Sequence, residues 1–245
     1  MVIIIAACTA LLVLLAAFEA AWIMWYGHPT VRPDISHQPQ TIGGGKALTF
    51  AVLGDSTAVA QGGVYAEGYA VAAANHLAKT HTITWVNEAV SGARAKDAAG
   101  SQANRALPYK PDVVLIVIGA NDVTHLTPVP EVRASVASAI GAFQQVNGGV
   151  RIVLAGSPDM GSPTRIPQPL RLLAGKRTRS INNALMSLAD GRQVVFAPIA
   201  AQTGPIFRAH PELFASDHFH PNAAGYKLWI PIINSALDKA LQVSP

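Results

Sequence analysis

Strand patterns and helix patterns alternate along the chain from Leu48 to Leu241, and this alternation limits the folds open to the sequence. The clearest strand is Asp112–Gly119, a continuous aliphatic and β-branched run of the kind that parallel sheets bury on both faces. Four further strands are predicted at Leu48–Gly54, Thr82–Val90, Arg151–Gly156 and Val194–Ile199. Because parallel strands need crossover connections, we expect an α/β fold, a three-layer α/β/α sandwich around a central five-stranded parallel sheet.

Helical patterns fall between and after these strands. They are predicted at Gly68–Thr80, Ala93–Leu107, Glu131–Gln145, Leu170–Ala189 and Asn222–Leu241. Open parallel sheets bind ligands beyond the carboxyl ends of their strands. Residues that carry chemistry should therefore follow the strands in sequence.

The N-terminal residues 1–26 differ in kind from the rest, because they are almost wholly apolar and contain neither Lys nor Arg. A run of about 20 apolar residues can span a bilayer as a helix, and Trp22 and Trp25 stand where interfacial aromatics are expected. A cleaved signal peptide is the alternative, although a basic n-region is missing. Glu19 counts against an anchor, since an unpaired carboxylate is costly in hydrocarbon. Residues 27–46 read as a linker, and residues 47–245 as one domain.

The charge pattern disfavours a nucleic-acid partner but leaves anionic lipids and acidic polymers open. The net charge is +4, yet only 13% of residues are charged, and no RNA-binding or zinc-finger spacing occurs, so no nucleic-acid partner is expected. One basic cluster stands out, formed by Arg165, Arg171, Lys176, Arg177 and Arg179. It is either a solvated helix face or a surface for anionic lipid headgroups or an acidic polymer.

Ser56 directly follows the first predicted strand. A serine at a strand-to-helix turn exposes its hydroxyl at the sheet edge, where backbone N–H groups and a helix N-terminus favour developing negative charge. Gly92 follows the second strand and leaves its N–H free to donate. Asn121 follows the third and offers a neutral amide suited to stabilising an oxyanion. Each residue also has a simpler reading, as a helix cap or a turn residue, and Asp122 is expected to be a local cap.

Near the C-terminus, Asp217 and His220 stand three residues apart before the last predicted helix. At that spacing the carboxylate can accept a hydrogen bond from the imidazole and fix its tautomer. His218 competes with His220 as the histidine that pairs with Asp217. His218 and His220 also alternate in the sequence, and two alternate histidines can ligate a metal. No further ligand group stands at suitable spacing, so neither a metal nor a cofactor is expected.

The segments GDST, SGA, GANDV and DHFH resemble, in order and spacing, the four blocks of the SGNH (GDSL-like) serine hydrolases, a family of esterases and lipases. The resemblance covers about Leu48 to Leu241 and implies a flavodoxin-like fold. It implies a triad in which Ser56 attacks an ester carbonyl, His220 is the general base and Asp217 orients His220. It also implies an oxyanion hole made of the N–H groups of Ser56 and Gly92 and the Asn121 amide.

The resemblance leaves several choices open. The substrate is expected to be a small-molecule, lipid or glycan ester. The same triad also fits an acyltransferase or deacetylase acting on a cell-envelope glycan, and an inactive membrane-anchored binding domain is a further alternative. Arg32 and Lys46 favour a cytoplasmic domain by the positive-inside rule. Anchored enzymes of this resemblance usually face outward, so we expect an extracytoplasmic, membrane-anchored domain, or a secreted one if the segment is cleaved.

Overall fold

A single six-stranded sheet forms the centre of the structure, a computed structural model that describes residues 2–242. Met1 and residues 243–245, the outermost ends of the predicted anchor and domain, lie outside the described residues. The strands are β1 Gln40–Gly43, β2 Lys46–Gly54, β3 His81–Asn87, β4 Val113–Val117, β5 Arg151–Leu154 and β6 Val194–Phe196. Their order is β1-β3-β2-β4-β5-β6, and β2 to β6 are mutually parallel. The five predicted parallel strands are therefore confirmed.

Strand β1 was not predicted, and its residues were assigned to the linker. It pairs antiparallel with β3 at the edge of the sheet, with Thr41 opposite Thr84 and their hydroxyls 3.3 Å apart. A glycine-rich turn at 43–45 then leads the chain into β2. Four largely exposed residues beside such a turn carry no apolar period, which explains why the strand is invisible in the sequence.

Ten α-helices lie among the described residues 2–242. They are α1 Val2–Trp25, α2 Tyr69–Leu77, α3 Ala95–Asp97, α4 Ala103–Ala106, α5 Ala120–Thr124, α6 Val129–Val146, α7 Leu170–Met186, α8 Ile199–Ala209, α9 Ala223–Lys227 and α10 Ile230–Gln242. A π-helical turn at Ala98–Gln102 joins α3 to α4. The helix predicted at Asn222–Leu241 is thus divided in two, and α8 was not predicted at all.

The alternating residues of β4 bury into two separate cores. Val113, Leu115 and Val117 pack with α2 and α10, where Trp229 and Leu237 are almost fully buried. Val114 and Ile116 pack on the other side with the helices α3, α4, α6 and α7. This two-sided burial explains the continuous apolar run of the strand and confirms the three-layer α/β/α sandwich.

Helix α1 stands apart from these layers. Its segment Ala7–Trp25 is long and apolar enough to cross a membrane, by length and composition alone, and most of its side chains are exposed. A signal sequence near the N-terminus passes the same test. Glu19 is the exception within this segment, because it is only 7% exposed.

Candidate active site

Ser56 lies at the carboxyl end of β2, where the sheet continues to β3 on one side and to β4 on the other. Side chains that follow these three strands meet at this topological switch point. Tight turns follow Ser56, whose carbonyl accepts a hydrogen bond from the Gln61 N–H at 2.9 Å. Helix α2 begins at Tyr69, one residue after the predicted start at Gly68, so turns and a short 3₁₀ helix separate Ser56 from it.

The buried side chain of Asp55 stabilises the turn that begins at Ser56. Its Oδ1 accepts hydrogen bonds from the Thr57 N–H at 2.9 Å and the Thr57 hydroxyl at 2.8 Å. The carboxyl is almost fully buried, and this burial raises its pKa although the bonds from Thr57 oppose the effect. Asp55 therefore holds the turn in shape without facing solvent.

Ser56, His220 and Asp217 form one continuous hydrogen-bonded chain. The distance between Ser56 Oγ and His220 Nε2 is 2.9 Å, and that between His220 Nδ1 and Asp217 Oδ2 is 2.6 Å. With the Nδ1–H tautomer, His220 donates to Asp217 and its Nε2 accepts the serine proton. The structure thus brings together the three residues that the sequence proposed for the triad.

A close approach of two loops makes this chain possible. Gly62 adopts φ +90°, and a Cβ built there would lie 2.8 Å from the Pro221 carbonyl oxygen and 2.9 Å from the His220 Cβ. Any larger residue would separate the serine loop from the histidine loop. The Tyr226 hydroxyl adds a bond of 2.7 Å to the Gln61 carbonyl.

Asp217 is held ionised by its surroundings. Burial alone raises the pKa of its carboxyl, but the His220 ring and the backbone N–H groups of His220 and Phe219 donate to it and hold the pKa well below its usual range. Both backbone bonds measure 2.9 Å. The Thr30 hydroxyl donates to Oδ2 at 2.8 Å. Sequence reasoning missed Thr30, because no local pattern links this segment to a residue 187 positions away.

Gly92 and Asn121 flank the same edge of the sheet. Gly92 occupies a turn with φ +88°, a conformation that favours glycine, and space is open where a Cβ would stand. The Asn121 side-chain amide donates to the Ala93 carbonyl at 2.9 Å, which ties the two segments together. Asn121 also lines the pocket that contains Ser56 and His220. This placement is compatible with their predicted role, which stays a prediction.

Asp122 and His218, which lie close to the site, have contacts that differ from those expected from the sequence. Asp122 is not a local cap, since its Oδ2 accepts from the backbone N–H of Ala95, at the start of α3. It thereby fastens the segment after β3 to the segment after β4. The ring of His218 stacks on Tyr26 at a centroid distance of 4.4 Å. His218 thus contacts the end of helix α1.

An apolar pocket opens beside Ser56. Eight of its 17 lining residues are aromatic, proline or methionine, namely Pro158, Met160, Pro163, Phe207, Phe214, Phe219, Pro221 and Trp229. Its polar lining residues include Asp159, Ser162 and Thr203. Phe207 belongs to helix α8, which was not predicted, so this wall of the pocket was not predicted either. The cavity volume is only about 30 Å³, so this mainly apolar pocket has room for the first carbons of an acyl group.

Comparisons with known proteins agree with this geometry. The model of the GDSL-like lipase/acylhydrolase family matches residues 52–228. A GDSL-like esterase of Mycobacterium tuberculosis is 34% identical over 195 residues, which are 78% of this chain and 62% of the relative. The chain thus spans less than two thirds of that relative's length.

Solved structures share the fold. A lipase from a goat rumen metagenome superposes with a TM-score of 0.62 at 17% identity, over 77% of this chain and 97% of the lipase. TesA superposes with a TM-score of 0.61 at 19% identity, over 77% of this chain and 97% of its own. At these identities the similarity establishes the fold alone.

Proposed function

The chain belongs to the GDSL-like lipase/acylhydrolase family, and from that premise we propose that it is a serine esterase that cleaves a carboxylic ester through an acyl-enzyme on Ser56. The observation that carries the proposal is the unbroken hydrogen-bonded chain from Ser56 through His220 to Asp217. The name of the mycobacterial relative, a GDSL-like esterase, supports the same activity.

The reaction begins with attack on the ester. Ser56 Oγ bonds to the carbonyl carbon while its proton passes to His220 Nε2, and the carbonyl oxygen becomes an oxyanion. The ionised Asp217 stabilises the imidazolium, because Oδ2 accepts its Nδ1–H at 2.6 Å. When the intermediate collapses, Nε2–H protonates the leaving alcohol and the acyl group stays on Ser56.

Water completes the cycle. It gives a proton to His220 Nε2 and attacks the acyl carbonyl, and the second tetrahedral intermediate releases the acid and returns the proton to Ser56 Oγ. In both halves the oxyanion receives hydrogen bonds from the N–H groups of Ser56 and Gly92 and from the Asn121 amide. One N–H of that amide is bonded to the Ala93 carbonyl, which orients the other.

The apolar pocket beside Ser56 receives the acyl chain in this proposal. Its walls of Met160, Phe207 and Trp229 exclude water from the first carbons of a hydrocarbon chain, and the acidic side chain of Asp159 in the same lining disfavours an acidic one. We therefore propose esters of uncharged aliphatic acids as substrates.

Helix α1 serves as an anchor that holds the domain on the extracytoplasmic side of a membrane. Its single charged residue, Glu19, is only 7% exposed, so it packs against the domain and away from the lipid that the other side chains would meet, and its buried Oε1 has no hydrogen-bond partner there. The full-length protein should stay with membranes after a high-salt wash and be cleaved by protease added to intact cells. Release of a protein lacking residues 1–26 would instead indicate a signal sequence.

The test of the activity uses the full-length protein in detergent with p-nitrophenyl acetate, butyrate and octanoate. The wild type should turn over at least one of these esters, and Ser56→Ala should lose that turnover. Ser101→Ala, which removes an exposed serine hydroxyl, is the matched control and should retain it. Equal turnover by Ser56→Ala and wild type would contradict the proposal.

A further inference from the structure

The last two turns of helix α1 pack on the catalytic domain through one face. Glu19 is buried, Trp22 Nε1 donates to the Thr164 carbonyl at 3.2 Å, and the Tyr26 ring stacks on His218. These residues follow one another at intervals of three and four, which is the spacing of one helix face. The domain therefore packs against the side of helix α1 and not only against its C-terminal end.

This lateral contact fixes how deep the domain sits beside the helix. Phe18 and Trp22 line one groove together with Ile166 and Arg171. Phe18 belongs to the candidate membrane span and lies about 10 Å from its end at Trp25, at a rise of about 1.5 Å per residue. A membrane that holds the span must therefore reach the domain surface around Arg171.

The start of α7 presents apolar side chains at this surface. Leu172 and Leu173 are 54% and 55% exposed, while the same helix buries Gly175, Thr178 and Ile181 against the core. Two adjacent leucines turned away from the core contribute little to the fold. Contact with lipid would remove their apolar surface from water, which is favourable.

Basic residues lie next to Leu172 and Leu173, where they could bind lipid headgroups. Lys176 and Arg179 are exposed on the turns that follow the leucines. Basic side chains beside an inserted apolar patch bind the phosphates of lipid headgroups. Arg165 and Arg177 of the same basic cluster instead donate to the carbonyls of Asp217 and Thr127, so only part of the cluster faces outward.

We infer that Leu172 and Leu173 insert into the bilayer beside helix α1, so that the domain rests on the membrane at two places. The inference rests on the proposed anchor. Its occupant is the lipid surface, because the two leucines directly follow Arg171, which lines the groove against α1, and the exposed Lys176 lies one turn further along the helix. Arg165 and His218 connect this face to the Asp217 loop. The pocket beside Ser56 is then held at the lipid–water boundary, and its ester comes from lipid.

Site-specific labelling of the full-length protein tests the contact. Cys8 is the only cysteine, so a Cys8→Ser background accepts a single fluorophore. Three variants carry it: Leu173→Cys in the patch, Leu14→Cys in the span, and Lys79→Cys just before β3. Lys79 lies at the amino-terminal end of the parallel strands, and Ser56 at their carboxyl end. Each is reconstituted into phosphatidylcholine–phosphatidylglycerol vesicles, with and without phospholipid that carries a nitroxide near the headgroup or deep in the chain.

The inference predicts that the headgroup nitroxide quenches the label at 173, that the deep nitroxide quenches the label at 14, and that neither quenches the label at 79. Quenching at 14 without quenching at 173 would overturn the inference and leave the anchor standing. An absence of quenching at 14 would overturn the anchor and the inference with it. A fluorescence change at 173 that depends on protein density, and not on nitroxide, would indicate a second copy of the chain and also overturn it.

A functional readout accompanies the labelling. In vesicles, Leu172→Gln/Leu173→Gln should lower the hydrolysis of a long-chain ester dissolved in the bilayer severalfold relative to that of a water-soluble butyrate ester. Equal ratios for this variant and the wild type would contradict the inference. Retained turnover of the soluble ester would show that the proposed esterase activity is independent of the patch.

Discussion

The Thr30 hydroxyl lies 2.8 Å from Asp217 Oδ2, the same oxygen that receives the Nδ1–H of His220. The arrangement continues beyond Thr30, since Gln61 Nε2 donates to the Thr30 hydroxyl at 3.2 Å and the Ser91 hydroxyl donates to Gln61 Oε1 at 3.0 Å. The segment between helix α1 and the domain therefore contributes a hydrogen bond to the proposed triad.

Thr30→Val should lower kcat severalfold, because the loss of this hydrogen bond leaves the Asp217 carboxylate, and through it the His220 ring, less firmly positioned. Thr30→Ser keeps the hydroxyl and should restore kcat. Steady-state kinetics measure both, and Thr41→Val in the exposed edge strand is the matched control. An unchanged kcat in Thr30→Val would reduce Thr30 to a packing residue.

Asn121→Ala should lower kcat by about 10²–10³-fold with little change in KM, because the amide acts on the oxyanion of the transition state. Steady-state kinetics with the best p-nitrophenyl ester measure this effect. Asn75→Ala on the exposed side of α2 serves as the control for the loss of an asparagine. Full activity of Asn121→Ala would remove Asn121 from the oxyanion hole.

Asp217→Asn should lower kcat by about 10⁴-fold, because the amide no longer selects the tautomer of His220 that leaves Nε2 free. It should also change the pH dependence of unfolding. A carboxyl whose pKa is depressed in the folded state adds stability above its ordinary pKa, and loses that contribution as the pH falls toward the folded value. The stability of wild type relative to Asp217→Asn should therefore decline below about pH 4.

Asp55→Asn should change the pH dependence of stability in the opposite direction to Asp217→Asn. The pKa of this buried carboxyl is raised, so ionisation opposes folding at neutral pH, and the penalty fades as the pH falls through the folded value toward the ordinary one. The amide oxygen can still accept both hydrogen bonds from Thr57. Thermal unfolding in detergent should give the variant the higher melting temperature at neutral pH and a smaller advantage near pH 4. An equal difference at both pH values would contradict the raised pKa.

Local signals predicted the five parallel strands and the pairing of Asp217 with His220, and the resemblance to a family added Ser56, which lies 164 positions from His220. β4 is a continuous apolar run, and Asp217 and His220 stand three residues apart. Helix α8 was missed because Thr203 occupies a position of its buried face between Ile199 and Phe207, and Pro205 interrupts the helical pattern. The bonds from Thr30 to Asp217 and from Asp122 to Ala95 join distant segments, and only the fold reveals them.

Ser56 is the nucleophile of the proposed reaction, and a reagent that labels activated serines tests this role directly. The full-length wild type, Ser56→Ala and His220→Ala should be treated with a fluorophosphonate, which phosphonylates an activated serine, and the modified peptide identified by mass spectrometry. We expect one adduct, on Ser56 of the wild type, with none on Ser56→Ala and much slower labelling of His220→Ala. An adduct on another serine, or equal labelling of wild type and His220→Ala, would contradict the triad.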